Sequence, residues 1–89
     1  MRTIWKFPLE CNSIRDDQHR IELQAPRGAR PLSVGHQNGV NMLWAEVDPS
    51  LPKVTLTLLC IGTGFGSVPE GATFIGTIID GSYVWHLYY

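Results

Sequence analysis

The pair Asn38-Gly39 constrains this chain more than any other feature. It separates "LSVGHQ" (32–37) from "VNMLWAEV" (40–47). Asn and Gly both tolerate positive φ, and the tight turn that joins two antiparallel strands without splaying them needs positive φ at both central residues. The pair therefore predicts a β-hairpin. Its neighbours support a strand reading almost throughout. "RTIWKF" (2–7) is β-rich and is expected to end at Pro8. "HRIELQ" (19–24) alternates, with Ile21 and Leu23 on one face and Arg20 and Glu22 on the other. "KVTLTLLCI" (53–61) places Val54, Leu56, Leu58 and Cys60 on one face; Leu59 and Ile61 on the other predict a far end buried on both sides. "TFIGTII" (73–79) and "SYVWHLYY" (82–89) read as a last hairpin around Asp80-Gly81.

Between these runs, "APRGARP" (25–31) and "DPSLP" (48–52) carry the prolines and glycine of loops, and the two prolines of the first are expected to exclude regular pairing. No window of eleven residues shows a capped apolar helix stripe, and "CNSIRDDQHR" (11–20) has room for one helical turn at most. Seven short strands with regularly spaced turns predict one all-β domain over residues 1–89, an antiparallel sandwich or partly open barrel.

Charge distribution bears on assembly. Six of the seven basic residues lie within residues 1–30, while residues 54–89 hold no Lys or Arg and only Glu70 and Asp80 as acids. A stretch of 36 residues with two charges does not readily supply a solvated surface, so a homodimer or higher homo-oligomer is expected. A domain of 89 residues buries only roughly 60–65% of its unfolded surface, which also favours assembly. The net charge of −1 argues against general nucleic-acid binding. No run approaches the ~18 apolar residues of a membrane helix. "MRTIWKFPLE" lacks the form of a signal peptide, so a cytosolic protein is expected and a Cys11–Cys60 disulfide is not. His19, His36 and His86 are scattered and no CxxC is present, so no metal or cofactor is expected.

The segment "CIGTGFGSVPEGATFIG" (60–76) contains five of the nine glycines. Alternating Gly62, Gly64 and Gly66 suit either a strand connection or a nest of N–H groups around an anion. A dinucleotide fingerprint needs a following helix, and a P-loop needs Gly-Lys-Ser/Thr; "SVPEGATFIG" supplies neither. The segment is expected to be a connection first and a ligand wall second, with Thr63 in the turn and Phe65 at its tip. Trp44 suits a core anchor or a stacking platform for a planar base. Trp85 and His86 fall on opposite faces of one strand, and His86 reads as a hydrogen-bonded structural histidine before a functional one. His36, beside the hairpin turn, is expected to be exposed. Arg27 and Arg30 form the one compact basic pair on a loop and suit a phosphate or plain solvation. Asp16-Asp17 reads as a solvated pair. Glu46 and Asp48 share a face and suit a cation or an acid–base pair, but their spacing is commonplace. No nucleophile–base arrangement has local support, so no catalytic residue is assigned.

Taken together, "KFPL" (6–9), "PRGARPLSV" (26–34), "QNG" (37–39), "LWAEVDP" (43–49), "GTG" (62–64) and "VWH" (84–86) resemble a family of short phage and prophage proteins of unknown function. The resemblance spans nearly the whole chain. This chain departs from the pattern after "GTG", where Phe65 and Gly66 stand in place of a histidine or tryptophan and a proline. The resemblance implies a phage accessory protein in the host bacterial cytoplasm. By functional analogy, the leading expectation is a non-enzymatic homo-oligomer that sequesters a small nucleotide immune signal, a cyclic nucleotide or an ADP-ribose derivative. Trp44, Phe65 or Trp85 would stack the base, with His86 beside them, and the 62–66 backbone (Gly62, Thr63, Gly64, Phe65, Gly66) with Arg27 or Arg30 would hold phosphate. The alternatives are a structural or protein-binding accessory that uses the apolar C-terminal half, and a small hydrolase.

Overall fold

The computed structural model describes residues 1–9 and 19–89. Cys11 and the Asp16-Asp17 pair, with the short turn considered for 11–20, fall mainly outside the described residues. Seven strands follow in chain order: β1 Thr3–Leu9, β2 His19–Pro26, β3 Arg30–Gln37, β4 Val40–Val47, β5 Lys53–Gly62, β6 Phe74–Asp80 and β7 Tyr83–Tyr88. They form two antiparallel sheets, ordered β1-β4-β3 and β2-β5-β7-β6, with no helix among the described residues. The all-β expectation and the seven strands hold.

The β3–β4 hairpin turns on Asn38 at φ 53° and Gly39 at φ 77°, the paired positive values that the sequence demanded. Alternation then sorts the side chains. Leu43, Ala45 and Val47 of β4 are fully buried, as are Leu58 and Cys60 of β5 and Leu87 of β7. Leu9, Ile21 and Ile78 complete the contiguous core between the sheets. Ile61 is also buried although it points to the opposite face of β5 from Cys60, so the end of β5 is covered on both sides, as predicted.

Three prolines sit where the sequence reading put breaks. β1 runs through Pro8 to Leu9, Pro26 pairs with Lys53, and Pro31 pairs with Ala45. The loop expected over 25–31 shrinks to residues 27–29. The physical reason is common to all three. β1 and β3 are the edges of one sheet and β2 is an edge of the other, and an edge strand has one rank of N–H groups outside the ladder. Pro31 also adjoins a register shift at Leu32. The last hairpin differs by one residue from expectation: Asp80 pairs with Tyr83, so the two-residue turn is Gly81-Ser82.

The sheets meet closely at β3 and β6. A Cβ at Gly76 would lie 2.9 Å from Val34 Cγ2, so a larger residue at that crossing would require Val34 to shift. The connections 27–29 and 48–52 share one end of the sandwich, where the Arg27 N–H donates to Pro52 O at 2.8 Å. The 62–65 turn lies at the other end of β5. Ten residues at ~3.3 Å each place these ends about 30 Å apart.

Candidate functional site

The glycine stretch begins as a β-turn. Phe65 N–H donates to Gly62 O at 3.0 Å, and Gly64, third in that turn, has φ 81°. A type II turn requires positive φ at this position, which a glycine adopts without steric cost. Thr63 N–H donates to Val84 O at 3.3 Å. Two of the amides considered for an anion nest are therefore turned onto carbonyl oxygens, and the stretch acts here as a strand connection.

Gly62 serves a second purpose. A Cβ there would stand 3.1 Å from Trp85 Cζ3 and 3.3 Å from Phe65 Cδ2. The missing side chain lets both rings close over the backbone. Trp85 in turn lies parallel to Tyr83, with ring centroids 5.4 Å apart and planes 7° from parallel. The result is a continuous row, Phe65–Trp85–Tyr83. Trp85 is half-buried against the core, while Phe65 and Tyr83 are 67% and 62% exposed. Across the β6–β7 ladder, Asp80 stands directly opposite Tyr83. Directly opposed residues of an antiparallel pair share a face, so Asp80 borders this row.

On the reverse face of β7, His86 is held by two threonines. Its Nε2 lies 2.8 Å from Thr63 Oγ1, and its Nδ1 lies 3.0 Å from Thr77 Oγ1. A neutral imidazole has one N–H and one lone pair, so one hydroxyl accepts from the ring and the other donates to it. His86 thus ties the end of β5 to β6 and has both ring nitrogens engaged.

The remaining predicted residues stand apart. Trp44 is not in the core: Leu43 and Ala45 take the inward positions, and Trp44 is half-buried on the outer face of its sheet, with its ring over Gly35. Arg27 and Arg30 are exposed at the opposite end of the sandwich from Gly62. The structure brings together Gly62, Thr63, Gly64, Phe65, Trp85 and His86, but puts neither arginine nor Trp44 beside them. Tyr83 and Asp80 belong to this neighbourhood and were not singled out from sequence. The signal was present: a turn placed at Gly81-Ser82 makes Asp80 and Tyr83 cross-strand partners.

The arginine end has charge partners of its own. Arg2 Nε donates to Glu46 Oε1 at 2.8 Å, and Arg2 Nη2 donates to Gly28 O at 2.9 Å. Asp48 Oδ1 accepts from the Ser50 hydroxyl at 2.7 Å and the Ser50 N–H at 3.0 Å. The hydroxyl bond, then the backbone bond, lowers the Asp48 pKa from the usual carboxylate value. Both carboxylates considered as an acid–base pair are therefore engaged locally. His36 Nδ1 lies 2.7 Å from Oδ1 of buried Asn41. No group of three or more His, Cys, Asp or Glu suited to a metal occurs among the described residues.

A family model described as a domain of unknown function, DUF7352, matches residues 1–89. The chain belongs to that family. No curated protein and no solved structure matches it. No helix among the described residues is long and apolar enough to cross a membrane.

Proposed function

We propose that this DUF7352 protein is a non-enzymatic binding module that works through protein contact, with its apolar C-terminal region as the contact surface. The observation that carries the proposal is the concentration of exposed large apolar side chains in the cation-free stretch. Phe65, Val68, Phe74, Ile79, Tyr83 and Tyr89 are each at least 40% exposed, and residues 54–89 contain no Lys or Arg. Contact surfaces are depleted in charge at their centres and enriched in aromatic residues, and exposed apolar surface in a charge-poor region of a small domain suits association. The biological setting remains the one implied by the resemblance, a phage or prophage accessory protein in the cytoplasm of its host.

The nucleotide-sequestering reading keeps one favourable observation: the parallel Tyr83–Trp85 pair is a surface on which a base would stack. Against it, the arginines that would hold phosphate lie about 30 Å away. Equilibrium dialysis with cyclic dinucleotides and ADP-ribose derivatives separates the two readings. The contact proposal expects no retention.

Photo-crosslinking in bacteria expressing the protein tests the proposal itself. A photoreactive phenylalanine analogue at position 65 or 79 should give protein adducts, of this chain or another. The same analogue at exposed positions 22 and 55 should give none. No adducts at 65 and 79, or equal adducts at all four positions, would remove the proposal.

A further inference from the structure

The geometry points to the occupant of the aromatic row: the arginine loop of a second copy of this chain, joined head to tail. This inference rests on the contact-surface reading and names the partner. Asp80 shares a face with Tyr83, and its carboxylate has no hydrogen bond or ion pair among the described residues. An unpaired carboxylate beside parallel aromatic rings, with no cation in residues 54–89, is a receptor for a planar cation. A guanidinium can stack on a Trp or Tyr ring while its N–H fork meets a carboxylate; an ammonium lacks that planar fit.

The chain carries the matching group. Arg27 and Arg30 flank the two residues Gly28 and Ala29, both are exposed, and neither guanidinium has a hydrogen bond or ion pair among the described residues. Arg2, by contrast, is occupied by Glu46 and Gly28. The loop and the aromatic row lie about 30 Å apart along β5, so they cannot meet within one molecule. Between two molecules they can. Such a contact uses different surfaces on the two copies, so it leaves one free surface at each end and propagates into a ring or an open array. Edge-to-edge association is discouraged at two of the edge strands, since β1 carries Lys6 and Pro8 and β2 carries Arg20 and Glu22.

Sedimentation velocity on two complementary variants tests the inference. Arg27→Ala/Arg30→Ala removes the head, and Asp80→Asn/Tyr83→Ala removes the tail. The unaltered protein should show a mass that rises with concentration and falls with added salt. Each variant alone should sediment as a monomer, with association weakened about tenfold or more. Mixed in equal amounts, they should form a 1:1 dimer and nothing larger, since each supplies the surface the other lacks. Asp80→Asn alone, which leaves the rings intact, should give an intermediate loss. A monomeric unaltered protein at every concentration, variants that assemble as the parent does, or a mixture that stays monomeric would each overturn the inference. Adducts to a different protein at position 65 or 79 would then preserve the contact-surface reading without the head-to-tail partner.

Discussion

The two ends of β5 solve the problem of a small domain differently. At the Lys53 end, charges are plentiful and several find partners: Arg2 pairs with Glu46 and caps Gly28 O, and Ser50 satisfies Asp48. At the Gly62 end, the row is aromatic, Asp80 borders it, and two of its three rings are mostly exposed. One end closes most of its chemistry on itself while the other leaves it open. An end of the second kind is costly for an isolated monomer, because exposed aromatic surface contributes nothing to folding until something covers it.

The largest expected effect attacks what the two ends share. Leu58 is fully buried midway along β5, and Leu58→Ala should destabilise the fold by about 2–5 kcal/mol in a thermal or urea melt, with both ends lost together. Gly39→Val forces a β-branched residue into φ 77° and should cost about 1–3 kcal/mol without touching the aromatic row; an unchanged melt would refute the turn. Gly62→Ala separates the ends. Its Cβ would press on Trp85 and Phe65, so a loss of about 1 kcal/mol should come with a changed tryptophan emission. Glu46→Gln, at the other end, breaks a solvent-exposed ion pair and should cost under about 1 kcal/mol, less still at high salt.

The smallest effect concerns Asp48. Its folded-state pKa is lowered, first by the Ser50 hydroxyl, so the associated stabilisation is present above the unfolded pKa and fades as pH falls through the folded value. Ser50→Ala should raise the Asp48 pKa in a carboxyl NMR titration. Parent and variant should converge in stability in acid.

Much of this fold was legible because local chemistry and tertiary structure agree. Asn38-Gly39 allowed a tight hairpin, and Val54, Leu56, Leu58 and Cys60 announced one face of β5. The misreadings have a common origin in strand neighbours that a single sequence does not display. Pro8, Pro26 and Pro31 look like breakers until β1, β2 and β3 are known to be edges. Trp44 looks like core until the alternation of β4 assigns Leu43 and Ala45 inward. Of the candidate site, the grouping of Gly62, Phe65 and Trp85 needed the β5–β7 pairing of Gly62 with Trp85. Asp80 and Tyr83 were hidden by a turn read one residue early. That error placed Asp80 in the bend, where it has no cross-strand partner.

The central claim is that the open end of β5 is a contact surface for a second copy of this chain. Hydroxyl-radical labelling across a protein concentration series reads this most directly, because it reports the solvent access of individual side chains. Phe65 and Tyr83 should lose reactivity as concentration rises, while Ile4, exposed on β1, keeps its own. Reactivity at Phe65 and Tyr83 that stays constant at every concentration, or falls in step with Ile4, would contradict the account.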